Sequence, residues 1–286
     1  MCMRKTSLCL FILIALVCLI PACSRSHKAL QIKGSDTMVN LAQVWAEEFM
    51  KKYPAASMAV TGGGSGTGIA ALISQATDIA MTSRDMSKKE IEAAQSYGVS
   101  PQEYRVAQDG IAVVVSKKNP ISQLTLQQLS AIFTGEYKNW KELGGQNARM
   151  VALSRDRNSG THVFFLEKVV KLGDKKSVKE FGSAVLMMPS NQAIVEEVSG
   201  NPSAVGYIGL GYLTNKLKVV AVAKDEYSRF IVPTNLTVAD GTYPIARPLN
   251  FYTDGVPSGE VKTFLDFVLS PAGQKIVLEM DFVPIK

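Results

Sequence analysis

From Ala29 onward, short runs rich in β-branched residues alternate with longer amphipathic stretches, and no other feature limits the fold as much. A chain that keeps this alternation buries its helices against the faces of a mostly parallel sheet, which places it in the α/β class. Strands are expected at 29–33, 57–61, 78–81, 111–116, 150–154, 205–208, 219–222 and 248–252, with helices between them. The clearest helix spans 39–53, where Leu41, Val44, Trp45 and Phe49 form one face and Glu47, Glu48, Lys51 and Lys52 the other, before Pro54 stops it. Neither a repeat of solenoid length nor a low-complexity linker divides the chain, yet its length exceeds what one core usually holds. Two domains without a linker require the chain to cross between them more than once, and crossings are expected near Asp109-Gly110 and near 242–247.

Three of the strand-to-helix junctions share a chemistry. Gly34-Ser35-Asp36-Thr37 follows the first strand, a glycine-rich loop at 62–68 precedes a helix expected at 69–76, and Asn158-Ser159-Gly160-Thr161 precedes a helix expected at 162–172. A helix N-terminus presents backbone N–H groups with no partner inside the helix and adds the positive end of its dipole. Serine and threonine add hydroxyl donors, and glycine lets the backbone approach a guest closely. Each cluster also suits plain N-capping. Three of them at the C-terminal ends of strands lie where open α/β sheets bind ligands, and together they suit a small oxyanion.

Two arginines complement these donors. Arg155 ends the strand before the third cluster, and Arg84 follows the strand at 78–81 in Thr82-Ser83-Arg84-Asp85. A guanidinium grips an oxyanion with two parallel donors, the role assigned to Arg155, while Arg157 is left to solvent. Nucleotide chemistry fits poorly. The 62–68 loop lacks the Lys-Ser/Thr ending of a phosphate-binding P-loop and contains no G-x-G-x-x-G.

The first residues read as a targeting segment. Arg4 and Lys5 precede an apolar run from position 8 to 20, too short for the roughly 20 residues of a membrane span. Leu19-Ile20-Pro21-Ala22-Cys23 resembles a bacterial lipobox, which gives a leader at 1–22, a lipidated Cys23 and a tether at 23–28. Cys2, Cys9 and Cys18 lie in the leader, so Cys23 stands alone afterwards, and with only His27 and His162 there is no zinc constellation. The formal charge of +6 falls to +4 without Arg4 and Lys5. Basic pairs such as Lys51-Lys52 lack interleaved aromatics, so nucleic acid is not expected, whereas a mild positive field favours an anionic ligand.

At these residues the chain resembles the phosphate-binding component of the bacterial high-affinity phosphate ABC transporter. The resemblance rests on the three clusters and on Asp78-Ile79-Ala80-Met81-Thr82-Ser83-Arg84, Asp109-Gly110-Ile111-Ala112-Val113, Ile132-Phe133-Thr134-Gly135, Asn139-Trp140, Val205-Gly206-Tyr207 and Gly273-Gln274. It implies a type II periplasmic-binding-protein fold with two hinged lobes, lobe I discontinuous at 29–108 and 246–286 and lobe II at 109–245. It also implies a dehydrated phosphate held by Ser35, Thr37, Ser65, Ser83, Arg84, Arg155, Ser159, Gly160 and Thr161. Some members place an aspartate near the position of Ser83-Arg84 to accept the proton of hydrogen phosphate. Here Asp85 follows that stretch, and Asp109 is the other candidate acceptor. Sulfate and molybdate therefore stay open as ligands.

The expected partners are inorganic phosphate, the permease subunits of an ABC importer and the membrane beneath a lipid on Cys23, with the protein a monomer and without a cofactor. Two other classes compete. A serine hydrolase needs a base beside its serine, but no Ser-x-x-Lys or Gly-x-Ser-x-Gly is present, and His162 falls in a first helical turn. An adhesion or signalling protein reusing the fold would have no need of the retained donor clusters.

Overall fold

The computed structural model describes residues 29–285, so the leader, Cys23 and His27 lie outside the described residues. Along the chain these form β1 (Leu30–Gly34), α1 (Val39–Lys52), β2 (Met58–Thr61), α2 (Ser65–Ile73), β3 (Ile79–Thr82), α3 (Lys88–Ser96) and β4 (Pro101–Ser116). There follow β5 (Gln123–Thr125), α4 (Leu126–Thr134), β6 (Val151–Arg155), α5 (Gly160–Phe165), β7 (Leu186–Met188), α6 (Asn191–Gly200) and β8 (Ala204–Gly209). The last are β9 (Leu217–Val219), β10 (Ala221–Ala223), α7 (Asn235–Ala239), β11 (Ala246–Asp254), α8 (Gly259–Leu269) and α9 (Pro271–Glu279).

Helix α1 shows how the pattern becomes packing. Its i, i+4 spacing buries Leu41, Ala42, Trp45, Ala46 and Phe49, and Val44 stays half-buried at the edge of the stripe. Trp45 meets the edge of Phe251 at 5.7 Å, and its indole N–H donates to the Gly273 carbonyl at 2.9 Å. Each such large apolar side chain contributes about 1.5–3 kcal/mol on burial, which ties α1 to β11 and α9.

The sheet runs β2-β1-β3-β11-β4-β8-β6-β7, with β9 pairing on β4. Parallel ladders occupy both ends, β2-β1-β3 on one side and β8-β6-β7 on the other. The middle is antiparallel. Strand β4 pairs with β11 from Pro101 to Gly110 and then with β8 and β9 from Ile111 to Ser116, so one continuous strand serves both ends. Two large apolar cores lie either side of that change of partner. One gathers residues between Ile111 and Ile245 together with Val283, and the other draws on 30–107 and 249–282. A smaller cluster of Ile69, Leu72, Ala80, Met86, Ala94, Val99 and Tyr252 lies beneath α2 and α3.

Three local expectations are corrected. The strand expected at 219–222 divides at Val220, with β9 joining β4 and β10 pairing in parallel with β5 in a separate two-stranded sheet. Helix α2 begins at Ser65, inside the glycine cluster, because Gly64 at φ 100° turns the chain directly into the helix. The helix expected at 162–172 begins at Gly160, and its second half, Leu166–Val170, widens to a π-helix.

Candidate functional site

The three clusters converge where the parallel ladders face each other across β4 and β11. Ser35 and Thr37 stand at the end of β1, Ser65 begins α2, Ser83 follows β3, Arg155 ends β6, and Ser159, Gly160 and Thr161 open α5. All of these side chains are buried. They also touch one another. Thr37 Oγ1 lies 3.0 Å from Thr161 Oγ1, and Ser65 Oγ lies 3.3 Å from Ser83 Oγ and accepts the Ser83 N–H at 3.0 Å. A Cβ on Gly160 would stand 2.3 Å from Ser65 Oγ and 2.6 Å from Ser83 Oγ, so no larger residue lets α5 start there. Ser159 caps α5 by accepting the Thr161 N–H at 3.2 Å, which leaves its own hydroxyl proton to be donated elsewhere.

Arg155 is 1% exposed. Its Nη2 donates at 3.0 Å both to Asp36 and to the Pro189 carbonyl, and its Nε reaches the Met188 carbonyl at 3.3 Å. Its Nη1 is buried and has no acceptor among the described residues. Leaving a charged donor in that state costs several kcal/mol, so the arrangement favours a guest that brings an acceptor to Nη1.

Other expected residues are placed differently. The Arg84 fork is directed at a carboxylate of its own chain, with Nη2 at 2.7 Å and Nη1 at 2.8 Å from the two oxygens of Glu90. Burial works against the ionised Glu90, but the bonds from Arg84 and Ser87 hold it below the ordinary carboxylate range. Arg84 is therefore spent on the start of α3 and does not join the hydroxyl groups. Asp85 accepts from Asn250 at 3.0 Å. Asp109 is fully buried beside the site, but both its oxygens are engaged: Oδ2 by Arg247 Nη2 at 2.8 Å and Nε at 3.1 Å, and Oδ1 by the Leu210 N–H at 3.0 Å. Burial pushes the Asp109 carboxyl up, and the charge of Arg247 opposes that push. The carboxylate in contact with Arg155 is Asp36, which also accepts from the Asn191 backbone and side-chain amides at 3.1 and 2.8 Å.

Sequence reasoning missed Arg247, Asp36, Asn191 and the bridging role of Asn158. Asn158 Nδ2 donates to the Gly63 carbonyl at 2.6 Å and to Thr67 Oγ1 at 3.2 Å, and its own carbonyl accepts the Gly66 N–H at 2.9 Å. Asp36 stands inside a cluster already singled out and was the one signal available for it. His162 is buried against Phe181, with Nδ1 3.0 Å from Ser154 Oγ, and burial pushes its pKa down. A surface depression of about 360 Å³ lined by Phe164, Lys168, Lys171 and Lys175 lies apart from these residues. No group of three metal-ligating side chains occurs among the described residues.

Comparison with known proteins identifies the family and the fold. Residues 22–272 match the model of the PBP superfamily domain. The phosphate-binding protein PstS of Pseudomonas aeruginosa is 35% identical over 269 residues, covering 88% of this chain and 81% of that protein. PstS of Bacillus subtilis is 30% identical over 265 residues, covering 91% of this chain and 82% of the relative. Among solved structures, a substrate-binding protein from Clostridium perfringens with bound phosphate superposes with a TM-score of 0.81 at 32% identity, covering 91% of this chain and all of that one. An ABC-type phosphate transport receptor from Vibrio cholerae gives a TM-score of 0.71 at 30% identity, covering 89% of this chain and 99% of that one.

Proposed function

The chain belongs to the PBP superfamily and, within it, to the phosphate-binding PstS proteins, and from that premise we propose that it captures inorganic phosphate for an ABC importer. The observation that carries the reading is the excess of buried donors. Arg155 Nη1 and the hydroxyl groups of Thr37, Thr161, Ser65, Ser83 and Ser159 gather at the starts of α2 and α5 with few acceptors to match them. Phosphate presents four oxygens and little else, so it suits this host. The fixed charges around it balance, because Arg155 meets Asp36 and Arg247 meets Asp109. The guest's charge is then met by Arg155 Nη1 and by neutral dipoles.

In this reading Ser35 and Thr37 form one clamp, Ser65 and Ser83 a second, and Arg155, Ser159, Gly160 and Thr161 the third. Lobe I comprises 29–108 and 246–286, lobe II comprises 109–245, and β4 and β11 act as the hinge. Asp36 takes the place of Asp85 and Asp109 as the carboxylate nearest Arg155. A lipid on Cys23 would hold a monomer at the outer face of a membrane, where permease subunits receive the ligand. Catalysis is not part of the reading, since His162 is packed behind Thr161 against Phe181 and Ser154.

The test is a calorimetric competition of phosphate against sulfate and molybdate at two pH values, with phosphate release on denaturation measured alongside. Phosphate is expected to bind at one site per chain and to be displaced poorly by sulfate. Tighter binding of sulfate or molybdate would replace the ligand, and no binding of any of the three would overturn the reading.

A further inference from the structure

Arg247 lies directly opposite Asp109 in the β4–β11 ladder, where β4 changes partner, and its side chain is completely buried. Beyond its two bonds to Asp109, it reaches three groups of the candidate site. Nη1 donates to Thr161 Oγ1 at 2.9 Å and to the Ser83 carbonyl at 3.2 Å, and Nη2 donates to Thr37 Oγ1 at 3.2 Å. These atoms come from both sides of the β4 crossover, at sequence separations of 86 and 210 residues for the two threonines.

Counting protons shows what this does. A guanidinium carries only donors, so both threonine oxygens accept from Arg247. Each hydroxyl keeps one proton. Only one of the two protons can bridge the 3.0 Å gap between the oxygens. The other has no acceptor among the described residues, so it is available to a guest. A hydroxyl free to rotate could equally present a lone pair, which an oxyanion repels. With one lone pair taken by Arg247 and the other by the bridging proton, the hydroxyl that receives the bridge can turn only its own proton to the guest. Asp109 in turn cancels the charge of Arg247, so the orienting effect comes without a second net cation beneath the ligand.

We infer that Arg247, held in place by Asp109, is a positioning residue that commits the Thr37 and Thr161 hydroxyl pair to donate toward the bound anion. The inference rests on the phosphate-receptor reading and deepens it. Arg247 does not touch the ligand. It acts through two hydroxyl groups that belong to different strands and helices, and it fixes their mutual distance from behind.

Arg247→Lys is the informative variant, because an ammonium keeps the pairing with Asp109 but lacks the fork needed to span both threonines. Removing the charge altogether would strand a buried aspartate and endanger folding. Phosphate affinity is expected to fall about tenfold, on the scale of one hydrogen bond to a charged group, with circular dichroism and the thermal midpoint of the ligand-free protein near wild type. The decisive measurement repeats the substitution in a Thr37→Val, Thr161→Val background. There the effect of Arg247→Lys on affinity should shrink to within about twofold, since additivity fails only for residues that act through each other. An undiminished tenfold effect in that background, or unchanged affinity of Arg247→Lys itself, overturns the inference while leaving phosphate binding by the wild type intact. If the wild-type protein binds no phosphate in the same titration, the receptor reading falls and the inference falls with it.

Discussion

Arg155 shows how much of a site one residue can carry. Its guanidinium is held on three bonds to Asp36, Met188 and Pro189, and the one nitrogen left over is buried without an acceptor among the described residues. Arg155→Ala removes the charged donor and strands Asp36 beside Asn191. Truncating one partner of a buried charged pair costs about 2–5 kcal/mol, so phosphate affinity should fall by about a hundredfold or more. Calorimetry checks this, and a fold intact by circular dichroism separates it from collapse. His162 gives a second prediction at this scale. Burial holds its pKa below the ordinary 6.5, opposed by Glu180 and Asp156 and assisted by Arg157. The unfolded chain therefore takes up a proton that the folded one refuses, and stability is lost as pH falls through the window below about 6.5. His162→Gln should flatten that part of the thermal-midpoint profile between pH 7.5 and pH 5, and an unchanged slope would remove His162 as its source.

The elements show which parts of this molecule could be read in advance. Capping residues and glycines are local signals, so the three clusters and the starts of α1, α2 and α5 were legible in the sequence to within a few residues. The first half of β4 was not. Its residues, Pro101 to Gly110, are largely polar, and their burial follows no period of two, because this stretch pairs with β11 over its whole length while one end stays exposed. Strands β5 and β7 have three residues each, too few for any periodicity. Arg247 and Asp36 escaped notice for a different reason. Their partners lie 138 and 119 residues away, and nothing local distinguishes a guanidinium that will be buried from one that will be solvated. Gly160 tests the element that was legible. Its missing Cβ is what lets the start of α5 settle on Ser65 and Ser83, so Gly160→Ala must push α5 outward. Overpacking of this kind costs about 1–3 kcal/mol, and phosphate affinity should fall roughly tenfold or more. Wild-type affinity in the same titration would mean that α5 does not stand this close to Ser65 in the bound protein.

At the scale of the whole molecule, the question is what keeps the proposed lobes together once an anion is between them. The ligand itself does part of this, since anything that binds only one state stabilises that state by mass action. Beyond the buried threonine pair, further contacts join the proposed lobes through Asp36 and Asn158. Asp36 ties β1 to Arg155 and Asn191, and its carbonyl accepts the Tyr212 hydroxyl at 2.8 Å, so it cannot be altered without disturbing the ligand's own arginine. Asn158 is different. It joins the two glycine-bearing turns at their exposed rim, and its side-chain amide donates to Gly63 and Thr67. Asn158→Ala thus removes a clasp and leaves every proposed phosphate donor in place. In the proposed hinge motion closure follows capture, so the loss should appear in escape more than in entry. Two exposed hydrogen bonds at about 0.5 kcal/mol each, the low end for such bonds, correspond to a roughly fivefold faster release, with the association rate within about twofold of wild type. Stopped-flow release into a phosphate scavenger measures the first, and small-angle scattering with and without phosphate measures the compaction that the clasp is proposed to hold. Release at the wild-type rate from Asn158→Ala would mean that the side-chain clasp does not hold the closed state.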